Sequence, residues 1–86
     1  MTYRFIEDSG HGWLEVRHSE LKALGIADKI SPYSYSNGEW AYLEEDCDVG
    51  VFMAAKGEID YRVDYIDGHC YVRDYNSYPP AWSFNN

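Results

Sequence analysis

The sequence predicts an α+β domain: an antiparallel sheet of about four to six strands with one or two short helices packed on one face. Three observations predict it. Runs rich in β-branched and aromatic residues alternate with polar ones at Thr2 to Glu7, Trp13 to Arg17 and Glu58 to Ile66. Asn37-Gly38 and Asp67-Gly68 fall between such runs, where two-residue hairpin loops belong. Two stretches carry apolar residues at helical spacing and end at a glycine, Gly25 and Gly57. At 86 residues, the chain is expected to be a single domain over residues 1–86.

In chain order, Thr2 to Glu7 and Trp13 to Arg17 read as a hairpin joined by the turn Asp8-Ser9-Gly10-His11-Gly12. Ser19 is the expected N-cap of a helix over Ser19 to Leu24, with Glu20 in its first turn and Gly25 just beyond it. Pro32 discourages further helix. Tyr33 to Ser36 and Glu39 to Glu44 form a hairpin around Asn37-Gly38, a register that sets Tyr35 opposite Trp40 and Tyr33 opposite Tyr42. Asp46 or Asp48 caps a second helix, about Asp48 to Lys56, whose Val49, Phe52 and Met53 share a face. From Glu58 to Ile66 the pattern alternates strictly. Ile59, Tyr61, Val63 and Tyr65 take the core side; Glu58, Asp60, Arg62 and Asp64 take the other. With Asp67-Gly68 as the loop, His69 to Tyr75 becomes the partner strand. Val63 then faces Val72, Tyr65 faces Cys70, and Arg62 faces Arg73 with Asp60 and Asp64 nearby. The tail from Asn76, with Tyr78, Trp82 and Phe84, is expected to fold back over the sheet, or to pack on a second copy.

Charge narrows the function classes. Seven Lys+Arg against 15 Asp+Glu give a net charge of −8, which disfavours direct binding to nucleic acid or an anionic membrane. An apolar content of 45% and an aromatic content of 17% separate the chain from disordered acidic tails. No apolar run reaches the roughly 18–20 residues of a membrane span, and Met1 to Glu7 lacks a secretory pattern, so a cytoplasmic location is expected.

Motifs for chemistry are sparse. Cys47 and Cys70 are too few for a disulfide scaffold and read as small buried hydrophobes; a Cys47–Cys70 disulfide is the alternative. Cys47, His69 and Cys70 lack zinc-site spacing, and Glu44 to Asp48 lacks the calcium-loop pattern, so no metal is expected. Gly10-His11-Gly12 is too short for a phosphate-binding fingerprint, and no nucleophile elbow is present. The reading is of a protein without cofactor and without enzymatic activity.

The acidic residues themselves form two blocks, Glu44, Glu45, Asp46, Asp48 and Glu58, Asp60, Asp64, Asp67, Asp74. Same-face strand residues recur every ~6.7 Å. Duplex DNA carries one phosphate per ~3.4 Å of axis on each strand. Carboxylates on adjacent twisted strands imitate such a double row and are steered towards Lys/Arg-lined channels. Glu44, Glu45, Asp46, Asp48, Asp60 and Asp64 are the residues expected to face that partner; acidity for solubility alone is the competing reading. A protein–protein adaptor using Trp40, Tyr75, Tyr78 and Trp82 is a second reading. A metal-dependent hydrolase using Glu44, Asp46, Asp48 and His69 is a third.

The segments Gly10-His11-Gly12-Trp13-Leu14-Glu15-Val16, Leu21 to Ile30 (LKALGIADKI), Ser31-Pro32-Tyr33-Ser34-Tyr35 and Tyr42-Leu43-Glu44-Glu45-Asp46-Cys47-Asp48 resemble a family of small uncharacterised proteins of phages, prophages and plasmids. The resemblance covers the first half to two-thirds of the chain and carries no catalytic motif. It implies a mobile-element setting, where small acidic proteins include anti-CRISPR and anti-restriction proteins, some of them DNA mimics. The expected partner is a host CRISPR effector, or another nucleic-acid-binding defence protein, met at its duplex- or PAM-reading surface. The protein would act as a monomer or homodimer in the host cytoplasm.

Overall fold

The computed structural model describes residues 1–80, 82 and 83. Strands β1 (Thr2–Glu7) and β2 (Gly12–Arg17) form the first hairpin, with Phe5 opposite Leu14. Helix α1 (His18–Ala23) and a 3-10 turn (Ala27–Lys29) lead into the second hairpin, β3 (Tyr35–Asn37) and β4 (Trp40–Glu44). Helix α2 (Val49–Lys56) crosses to β5 (Asp60–Tyr65). A second 3-10 turn (Tyr71–Asp74) and the two-residue β6 (Asn76–Ser77) follow. The strands form one sheet in the order β5-β1-β2-β4-β3-β6. Four of the five pairings are antiparallel; β1 and β5 are parallel, with Phe5 beside Val63. Parallel neighbours need a crossover, and α2 supplies it between β4 and β5. The architecture is α+β, with both α-helices on one face of a mostly antiparallel sheet.

Alternation along each strand loads both faces. On the helix face, Tyr3, Leu14, Val16, Ala41 and Leu43 pack against Leu21 of α1, Phe52 of α2 and Tyr78. Phe52 is fully buried, and burying a ring of that size is worth about 1.5–3 kcal/mol. A polar tie joins three elements there: the Tyr3 hydroxyl donates to Glu20, and Lys56 Nζ lies 2.6 Å from the same carboxylate. On the opposite face, Ile6, Trp13 and Tyr42 are covered by Cys70 and Val72.

Several sequence expectations change in three dimensions. Residues His69 to Tyr75 are not a strand beside β5. Cys70 and Val72 have the alternation of a strand, but the segment folds across the second face, where both side chains are fully buried. β5 pairs with β1 instead, so Tyr61, Val63 and Tyr65 lie on the helix face at 57%, 50% and 56% exposure, beyond the cover of the helices. Arg62 lies beside Arg4 rather than Arg73, and Asp64 relieves the repulsion at 3.2 Å from Arg4 Nε and 3.6 Å from Arg62 Nε. In the second hairpin Asn37 pairs with Trp40 and Tyr35 with Tyr42, making Gly38-Glu39 the loop. α1 starts at His18, and Ser19 makes no cap bond. Asn76–Ser77 extends the sheet beside β3 and Tyr78 enters the core, while Phe84 lies outside the described residues. Both cysteines are free; Cys70 is buried, whereas Cys47 is exposed.

Candidate functional site

The loop after β4 organises one end of the sheet. Glu44 sits at the strand end, only 7% exposed, because its carboxylate turns back into the loop. Its Oε2 accepts the backbone N–H groups of Asp46 and Cys47, both at 2.8 Å. That turn leaves Glu45, Asp46 and Cys47 on the surface. The Glu45 N–H donates to the Gly12 carbonyl at 3.0 Å, and Gly12 pairs with Glu7, which brings the end of β1 alongside. Partial desolvation, then the charges of Asp46, Glu44 and Glu7, raise the pKa of Glu45.

Asp48 ends the loop and is 2% exposed. It is the N-cap by position, yet its carboxylate caps nothing in α2. It accepts the Ser31 N–H at 3.0 Å and the hydroxyls of Ser31 and Ser34, while Ser34 Oγ accepts the Glu44 N–H at 2.8 Å. This buried network pins the Ser31–Ser34 segment to the start of α2 and the end of β4. Glu44 and Asp48 are therefore positioning residues whose oxygens are engaged inside the molecule, and burial withdraws them from the surface role expected of them.

Beside the loop lies a cleft of about 250 Å³ lined by Trp13, Tyr33, Tyr35, His11, Glu44, Asp46, Cys47 and Arg73. Its wall is aromatic: Tyr35 meets Trp13 edge-on at 6.0 Å, and the Arg73 guanidinium lies 5.0 Å from the Trp13 ring centre. The indole N–H of Trp13 is buried without a hydrogen-bond partner among the described residues. Arg73 is held by a bidentate pair to Asp8, at 2.7 and 3.0 Å, which keeps the Asp8 carboxyl well below the usual carboxylate range. His11 Nδ1 stands 3.6 Å from Glu44 Oε1. Desolvation and then Glu44, Asp48 and Asp46 raise the Cys47 thiol, so it stays protonated at neutral pH rather than becoming a nucleophilic thiolate. Aromatic walls beside carboxylates suit a guanidinium or ammonium group, which gains a ring face and a charge partner together.

The remaining predicted site residues lie elsewhere. Asp60 starts β5 opposite Thr2, at the far end of the sheet from Glu45, and is exposed. Asp64 is engaged by Arg4 and Arg62. The two acidic blocks thus do not form one double row. Of the aromatic set, Tyr78 is in the helix-face core with its hydroxyl on the Ala27 carbonyl at 2.6 Å. Trp40 lies under Arg17 and Tyr75 packs on Tyr42, both on the other face, and Trp82 is 69% exposed. The hydrolase set is dispersed too, because His69 bonds Asp74 at 2.9 Å while Asp48 faces the serines. Among the described residues, no group of three or more His, Cys, Asp or Glu is placed to hold a metal ion. No helix among them is long and apolar enough to cross a membrane. Sequence reading missed the Trp13–Tyr33–Tyr35 cleft, although the alternation of β2 and β3 puts Trp13 and Tyr35 on one face.

The chain matches no protein-family model, no curated protein and no solved structure.

Proposed function

We propose that the protein is an acidic, non-enzymatic inhibitor encoded by a phage or other mobile element, acting in the host cytoplasm. Its partner is a CRISPR effector or another nucleic-acid-binding defence protein, whose basic surface it occupies in place of DNA. The observation that carries this reading is the crowding of exposed Glu45 and Asp46 with Glu7 at one sheet end, where Asp46 also borders an aromatic cleft suited to Arg or Lys. Most of the positive charge that would offset it is tied up. Among the described residues Arg4, Arg17, Lys56, Arg62 and Arg73 are in ion pairs with Asp or Glu. Glu45 and Asp46 meet the partner's cations, Glu44 and Asp48 set the loop's shape, and Asp60 adds to the general negative field.

The test is capture of partners from host lysate with the tagged protein, washed at low and high salt. A nucleic-acid-binding protein is expected at low salt and is displaced by duplex DNA. The double variant Glu45→Lys/Asp46→Lys is expected to lower that capture at least about tenfold with no fall in the unfolding midpoint. Capture that survives the double reversal and resists duplex DNA refutes the mimic.

A further inference from the structure

We propose that β5 pairs with β5 of a second copy of this chain, antiparallel and centred on Val63, so that two sheets become one. The two edges of the sheet differ. β6 is two residues long and is followed by Pro79-Pro80, which cannot extend a ladder. β5 is six residues long, contains neither glycine nor proline, and its outer edge pairs with no strand among the described residues. An open edge of that length is a template for another strand.

Charge complementarity selects the occupant. In an antiparallel ladder, directly opposite residues share a face. A two-fold axis perpendicular to the sheet keeps faces, so self-pairing centres on a residue rather than between two. Centred on Val63, each Arg62 falls opposite Asp64 of the second copy, each Tyr61 opposite Tyr65, and the two Val63 side chains meet. Centring on Arg62 sets Arg against Arg and Asp60 against Asp64. Centring on Asp64 sets Asp against Asp. Centring on Tyr61 engages half of the strand and opposes Glu58 to Asp64. The Tyr61 register also sets Asp60 opposite Arg62, but the Val63 register joins opposite charges with no like-charge pair and engages Tyr61 to Tyr65; such cross-strand pairs are the unit of sheet stabilisation.

The apolar face agrees. Tyr61, Val63 and Tyr65 are on the side that elsewhere carries the helix-face core, and they are half exposed. They continue into a groove of about 360 Å³ walled by Phe5, Val49, Met53 and Ile59. Pairing at Val63 runs the two strips into one band across the axis and shields the ring edges.

Light scattering across a concentration series tests this. The expected mass is about twice the 10.0 kDa of the chain. Arg62→Glu sets like charges opposite each other at two places and is expected to weaken the dimer about tenfold or more. The Arg62 side chain is 63% exposed, so this variant keeps its fold. In a Cys47→Ser background, Val63→Cys is expected to cross-link on oxidation, and Asp60→Cys is not. Asp46→Lys, which lines the cleft on the other face, leaves the dimer intact, which separates this inference from the inhibitor reading. A chain that stays at 10.0 kDa up to millimolar concentration overturns the proposal. So does a dimer indifferent to Arg62→Glu, or a dimer in which Val63→Cys fails to cross-link.

Discussion

A methyl group on Gly12 would lie 2.3 Å from Phe5 Cζ and 2.5 Å from Cε2. The sequence places Gly12 in a turn, but in the fold it opens β2, and the need is for an absent side chain rather than for a positive φ. The Phe5 ring occupies the space and also walls the groove beside β5. Gly12→Ala is expected to displace the ring and to cost about 1–3 kcal/mol, read as a lower urea midpoint. Asp48 teaches a similar lesson. Its place before an apolar helical run is legible in sequence, but its partners Ser31 and Ser34 are remote in the chain, so their shared network is not.

Among the elements, the second hairpin separates local preference from tertiary demand. Asn-Gly favours a loop with positive φ at both positions. Here Gly38 has φ +61°, no non-glycine residue among those described has positive φ, and Asn37 is a ladder residue opposite Trp40. A positive φ at the first loop position alone is the type II′ pattern. The shifted register sets Tyr35 opposite Tyr42, with Tyr35 packed against Trp13. Gly38→Ala is expected to cost about 1–2 kcal/mol, since a side chain is strained there. Asn37→Ala, at an exposed position, is expected to change stability by less than about 0.5 kcal/mol. Equal losses by chemical denaturation would restore Asn37-Gly38 as the loop.

For the whole molecule, acidification brings opposing contributions. Burial first, then Lys22, lowers the pKa of His18, whose ring stacks on Tyr78 and bonds Ser36 at 2.7 Å. The unfolded chain then binds the proton more readily than the folded one. That stability is present above the ordinary histidine value near 6.5 and is lost as pH falls towards the lower folded value. Asp8 acts in the same direction at lower pH: its contribution is present above 3.8 and is lost as the carboxylate paired with Arg73 is protonated. Glu45 acts oppositely, because its raised pKa relieves repulsion when it takes up a proton. Urea midpoints are therefore expected to fall from pH 7 to pH 5.5, and to fall less in His18→Gln. An identical slope in that variant would remove His18 from the account.

What the sequence determined is what nearest-neighbour chemistry sets. The β1–β2 hairpin follows from two alternating runs joined by a short turn, and the helix ends at Gly25 and Gly57 follow from glycine's tolerance of positive φ. The acidic character follows from composition. The tertiary structure alone decided where β5 goes, because strict alternation specifies the faces of a strand but not its neighbour. It decided that Cys70, just before a 3-10 turn, and Val72 within it cover the second face, since a short period-2 pattern does not name its backbone. It also divided the acidic loop into buried Glu44 and Asp48 and exposed Glu45 and Asp46. Like charges in a row are equivalent to a sequence reader. They become different only when some find hydrogen-bond donors in the interior and the others keep water.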